Sequence, residues 1–120
     1  MARWTADQLL AIQSEGNLIV SAAAGAGKTA VLTERIVSRI RAGAPVESLL
    51  VLTFTRAAAA EMKGRISNRL NQLADEAETT DEMRYLRRQA RNVDGAFIST
   101  IHAFCARVLR RHYHAVNLPA

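Results

Sequence analysis

At 120 residues the chain has room for one compact domain and not for two. Hydrophobic residues make up 49% of it, enough to bury a core, yet no apolar run approaches the roughly 20 residues of a membrane span, and no apolar stretch follows a basic start as in a secretory leader. The formal charge of +5 suits a polyanionic partner, and the single cysteine, Cys105, excludes an internal disulfide and fits a reducing, cytoplasmic compartment.

Charge alone leaves nucleic-acid binding open. Of the 16 basic residues only Lys28 and Lys63 are lysines, and such an Arg/Ala-rich bias also arises from genome composition.

The chain opens with TADQLLAIQS, which predicts a helix stopped by Gly16. Three units then share one pattern: a short apolar run, a small polar turn, and a helix. In the first, NLIV (17–20) predicts a strand, SAAAGAGKT (21–29) a turn, and Val31, Leu32, Ile36 and Ile40 an amphipathic helix to Arg41, closed by Gly43 and Pro45. In the second, LLVLTF leads through Thr55 and Arg56 into a helix ending near Ala74, with Ala59, Met62, Ile66, Leu70 and Leu73 at helical spacing. DEMRYLRRQARN predicts a further helix. In the third, AFIST leads into a helix whose buried stripe is expected at Phe104, Cys105, Val108 and Leu109. Strands alternating with helices imply a parallel sheet with right-handed crossovers. All three polar turns would then meet at its carboxyl edge, where open α/β sheets bind ligands.

The turn SAAAGAGKT departs from the phosphate-loop pattern G-x-x-x-x-G-K-[ST] at one position, where Ala22 replaces the first glycine. Gly25 and Gly27 remain to turn backbone N–H groups inward around phosphates, with Ala24 and Ala26 beside them. Lys28 offers a point charge to the β- and γ-phosphates, Thr29 a hydroxyl ligand for Mg²⁺, and the helix behind them unpaired N–H groups. The competing reading is an Ala/Gly-rich turn with a capping threonine. Hydrolysis also needs an acid, ordinarily at the end of an apolar strand, to hold the metal and orient water. None of the eleven acids stands in such a place, so binding without appreciable turnover is expected.

Other residues carry two readings each. Thr5 and Gln8 have capping-box spacing, which favours a cap, while the Gln8 amide has the donor and acceptor needed to read adenine. Thr53, Phe54, Thr55 and Arg56 sit where a strand becomes a helix: Thr55 is a natural N-cap, Arg56 can hold phosphate, and Phe54 either stacks on a base or completes the apolar core. Thr100 and His102 repeat this chemistry as cap and first-turn side chain. Arg107, Arg110 and Arg111 form either a solvated face or a backbone-binding patch. No Cys/His set with zinc spacing is present.

Taken together, WTADQ, SAAAGAGKTAVLTERI, VLTFTRAAAAEMKGRI and AFISTIHAFC resemble, in order, the Q motif and motifs I, Ia and Ib of superfamily-1 DNA helicases of the UvrD/Rep type, and within that group the AddA branch of bacterial helicase–nucleases. The four span nearly the whole chain, and the longer segment between Ia and Ib is AddA-like. The resemblance implies a partial RecA-like P-loop NTPase domain over 1–120, with a short parallel sheet flanked by helices. It implies ATP and Mg²⁺ as cofactors, Gln8 as an adenine reader, Lys28 and Thr29 as catalytic-site residues, and Thr53, Phe54, Thr55, Arg56, Thr100 and His102 facing single-stranded DNA. This group tolerates alanine at position 22. Ala30 departs from relatives with arginine there, which puts an adenine-stacking contact from that position in doubt. The parent would be a much larger enzyme translocating 3′ to 5′, processing DNA ends with a partner of AddB type. Alternatives are a UvrD/Rep helicase without nuclease, a small P-loop kinase, and a non-catalytic nucleic-acid-binding module. A short sheet with bare apolar edges is expected to be weakly stable or to self-associate.

Overall fold

A computed structural model of the chain describes residues 4–23 and 27–117. Five α-helices and two strands occur among these residues: α1 (Ala6–Gln13), α2 (Lys28–Arg41), β1 (Leu50–Thr53), α3 (Arg56–Asp75), α4 (Thr80–Asn92), β2 (Phe97–Thr100) and α5 (Ile101–His112). Short 3₁₀ turns precede each strand, at Val46–Ser48 and Val93–Gly95.

Local chemistry accounts for most boundaries. Thr5, Thr55, Thr79 and Thr100 hold extended backbone before α1, α3, α4 and α5, and each hydroxyl accepts an N–H from the first turn of its helix. The α2 helix begins instead at Gly27, whose left-handed φ of 81° suits a residue without Cβ. It ends before Gly43 at φ 117°, also left-handed.

The two strands pair in parallel and in register, Val51 opposite Ile98 and Thr53 opposite Thr100. Val51 and Ile98 share the buried face of this ribbon. They pack into one core with Ile36, Val37 and Ile40 of α2, Met62, Ile66 and Leu70 of α3, and Leu86 and Ala90 of α4. Ile40, Ile66 and Leu70 are fully inaccessible. The expected α3 stripe is thus the inner face of the core. Polar groups inside it are satisfied: buried Gln89 accepts the Val46 N–H at 2.7 Å, and the Tyr85 hydroxyl donates to the Ile40 carbonyl at 2.6 Å. The Glu34 carboxylate takes two bonds from Arg69, at 3.0 and 3.3 Å, bridging α2 to α3.

Three expectations are corrected. Residues 17–20 form no strand, and Leu18, Ile19 and Val20 are exposed, Ile19 to 95%. A strand is stabilised by its neighbours' hydrogen bonds, and among the described residues β1 and β2 pair only with each other, leaving 17–20 without a ladder. The sheet among the described residues therefore has two strands and not three. The stripe of α5 is not a core element either: Phe104 is half-buried while Cys105, Val108 and Leu109 are exposed. This helix rests on the ribbon through an edge-to-face pair of Phe97 and Phe104, 6.5 Å between centroids, and through Arg107, 4.9 Å above the Phe97 ring. Nothing among the described residues covers the remainder. Leu32, expected on the inner side of α2, is also exposed.

Candidate functional site

The first part of the site is the start of α2. Gly27 caps this helix with no side-chain acceptor, so among the described residues no side chain takes up its first N–H groups, and Lys28 and Thr29 are exposed beside them. Ala24, Gly25 and Ala26 lie outside the described residues. One turn on, the buried Thr33 hydroxyl donates to the Thr29 carbonyl at 2.8 Å and sits 3.7 Å from the Met62 sulfur, tying this turn to α3.

The start of α1 faces the same turn. Both bonds of the capping box form: the Thr5 N–H donates to Gln8 Oε1 at 2.8 Å, and the Gln8 N–H donates to Thr5 Oγ1 at 3.2 Å. The cap uses only the oxygen end of the Gln8 amide. Its Nε2 lies 3.5 Å from where a Cβ on Gly27 would stand, so the donor end points at the α2 turn. Capping therefore orients the amide and leaves its donor without a partner among the described residues.

Sequence reasoning missed what fixes α1 there. Arg35 Nη1 donates to the carbonyls of Ala11 and Ser14 at 2.8 and 2.7 Å, and Arg39 Nη2 donates to Ser14 at 3.2 Å. Two guanidinium groups thus close the negative end of α1 onto α2. Their four-residue spacing on one helix face was the available signal.

The second part is the carboxyl edge of the ribbon. Because Thr53 and Thr100 are register partners, α3 and α5 start side by side. The Thr53 hydroxyl donates to the Thr55 carbonyl at 2.9 Å and reaches the Ser99 carbonyl at 3.5 Å, bracing both turns. Thr55 and Thr100 accept the N–H groups of Ala58 and Ala103, each at 3.0 Å. Thr100 is buried, so its role here is the cap. Phe54 is 90% exposed and is no part of the core. Arg56 and His102 are exposed on the first turns of α3 and α5.

The electrostatics of the helix starts divide them into two classes. The first turns of α1 and α4 carry acids, Asp7 in one and Asp81 and Glu82 in the other. The first turns of α2, α3 and α5 carry none. Each of these three starts presents the equivalent of about half a positive charge with no acid to offset it. Lys28, Arg56 and His102 add to them, and among the described residues none of the three forms an ion pair, whereas Arg41, Arg65, Arg69 and Arg87 are paired to Glu82, Glu61, Glu34 and Asp75. Such a surface is suited to bind anions.

Between α2 and α3 a cavity of about 950 Å³ opens, lined among others by Trp4, Ala30, Thr33, Glu34 and Arg69. Among the described residues no group of three or more His, Cys, Asp or Glu side chains could hold a metal, and no helix is long and apolar enough to cross a membrane.

Residues 4–120 match the family model of the UvrD/REP helicase N-terminal domain. The chain belongs to this family. Similar to it are two proteins named as the A-type component of an ATP-dependent helicase/nuclease, from Lactobacillus johnsonii, 47% identical over 119 residues, and Lactobacillus acidophilus, 49% identical over 119. The protein of the same name from Alkaliphilus metalliredigens is 44% identical over 120. Each match covers 98% of this chain and 10% of the relative, so the chain spans about a tenth of the length of the curated relatives it matches. The AddA-like resemblance read from the four motifs is thereby supported across nearly every residue.

Proposed function

We propose that this chain is the ATP-binding and single-stranded-DNA-contacting N-terminal part, within a RecA-like domain, of an AddA-type ATP-dependent helicase–nuclease. The whole protein would work on DNA ends in double-strand-break repair, beside a second component of AddB type. One observation carries this reading: the three helix starts without a first-turn acid, α2, α3 and α5, are those that follow the three polar turns.

The residues present fit MgATP. Gly27 supplies the left-handed turn, the open N–H groups of α2 and Lys28 meet phosphate oxygens, and the Thr29 hydroxyl suits Mg²⁺. Ala24, Gly25 and Ala26 complete the loop in sequence. The donor end of the Gln8 amide, turned toward Gly27, meets the adenine edge. Bound ATP and Mg²⁺ would supply the phosphoryl chemistry. This chain's residues bind and orient them, and turnover is slow because no acid ends an apolar strand: β1 and β2 end in Thr53 and Thr100.

Single-stranded DNA lies across the neighbouring starts of α3 and α5. Phosphates meet the helix N–H groups, Thr55, Arg56 and His102, and Phe54 stacks on a base. Thr53 and Thr100 hold the two turns in place.

A salt titration of oligo-dT binding tests this. The logarithm of affinity should fall linearly with that of salt, by roughly 0.7 per phosphate contacted. Arg56→Ala should reduce that slope. An unchanged slope refutes the assignment of Arg56, and salt-dependent DNA binding with no nucleotide binding would make the chain a non-catalytic module.

A further inference from the structure

Trp4 is the sole tryptophan of the chain. It stands just before the Thr5 cap, where an apolar residue commonly packs against the fourth residue of the helix. That residue is Leu9, which is exposed, and Trp4 instead rests on Ala11, Ile12 and Val31. One part of the indole is thus anchored on both α1 and α2. The ring is only half-buried, and it also lines the cavity between α2 and α3.

The cavity reaches the phosphate-facing turn at this end. Ala30, another of its lining residues, directly follows Thr29. With only a methyl group, Ala30 leaves the space beside the indole open. Of the charged residues on the cavity wall, Glu34 and Arg69 neutralise each other. A flat, weakly polar group that leaves the Lys28 turn sideways would enter here against the indole.

We propose that Trp4 is the stacking platform for the base of the bound nucleotide, in the end of the cavity that Ala30 keeps open. This rests on the ATP-binding reading above. Stacking on an indole tolerates any base, since every base has a π-face, so Trp4 supplies affinity while the Gln8 amide, fixed by its cap, supplies choice.

The test compares ATP with inorganic tripolyphosphate, both with Mg²⁺, on the 120-residue chain. Tripolyphosphate engages only the phosphate-facing turn. Emission of Trp4 should change on saturation with ATP and not with tripolyphosphate, and ATP should bind about tenfold more tightly, the scale of one base–aromatic stack. Trp4→Leu keeps the apolar contact with Ala11, Ile12 and Val31 without an aromatic face, and it should remove most of the ATP advantage, leaving the share that Gln8 contributes, while leaving tripolyphosphate unchanged. Ala30→Leu, which adds bulk to the cavity lining while keeping the indole, should do the same. If Trp4 emission is unmoved by saturating ATP, or the ATP advantage survives undiminished in both variants, the platform is refuted while the phosphate reading stands. If neither ligand binds the wild type, both fall together.

Discussion

Replacing Phe54 by alanine separates its two sequence readings. A core phenylalanine costs about 3–5 kcal/mol when truncated. Phe54 is 90% exposed, so only a tenth of its surface leaves water on folding. Fully burying such a side chain contributes about 1.5–3 kcal/mol, and a tenth of that is a few tenths. Phe54→Ala should therefore leave the urea midpoint nearly unchanged. If the ring stacks on a base, the same change should weaken single-stranded DNA binding by about 1–3 kcal/mol, roughly fivefold to 150-fold. Anisotropy of a labelled oligo-dT at fixed salt measures the second quantity. A large fall in the urea midpoint would refute the exposed placement, and unchanged DNA affinity would refute the stacking role.

Gln8→Glu keeps an oxygen acceptor for the Thr5 N–H and removes the donor that faces Gly27, so it should weaken ATP binding while circular dichroism still reports an intact α1; equal loss of both would reduce Gln8 to a cap. Burial, and secondarily the Glu47 carboxylate, raise the Tyr85 phenol above its ordinary value of 10.0. A raised folded value favours the neutral phenol, so its contribution is complete below pH 10 and is lost as pH climbs through the raised value. Urea midpoints between pH about 8 and about 11 should fall further in wild type than in Tyr85→Phe, and an equal fall would contradict the burial effect. The exposed Leu18, Ile19, Val20, Leu50 and Leu52, together with the free side of β1, predict concentration-dependent self-association in sedimentation velocity. A monodisperse monomer at all concentrations would argue against it.

What the sequence revealed follows its periodicity. In α3, Ala59, Met62, Ile66, Leu70 and Leu73 recur at three and four and are all buried, because this helix packs against α2, α4 and the ribbon at once. The caps at Thr5, Thr55 and Thr100 were equally legible, since the cap bond is local, whereas the cap at Thr79 reads in the sequence as part of a polar loop. The same rule failed where burial depends on a distant partner. NLIV has strand composition yet stays exposed without a neighbouring strand among the described residues, and α5 is amphipathic but, held on the ribbon through Phe104 and Arg107, keeps Val108 and Leu109 exposed. The first-turn acid pattern that divides α2, α3 and α5 from α1 and α4 was present in the sequence. It gains meaning once β1 and β2 are seen in register, with α3 and α5 starting together. The Arg35 and Arg39 clasp left only a faint mark, two arginines four residues apart on one helix face, because it joins side chains to carbonyls more than twenty residues away.

The most direct test is calorimetric titration of MgATP into wild type and Lys28→Ala. Lys28 is exposed at the start of α2 with no ion pair among the described residues, so its removal should leave the fold intact. A charge-assisted bond to phosphate accounts for about 1.5–3 kcal/mol, and the variant should bind MgATP roughly tenfold to 150-fold more weakly. Wild-type affinity in Lys28→Ala would contradict the placement of the phosphates at Gly27, Lys28 and Thr29, and with it the account of this chain as a nucleotide-binding helicase domain.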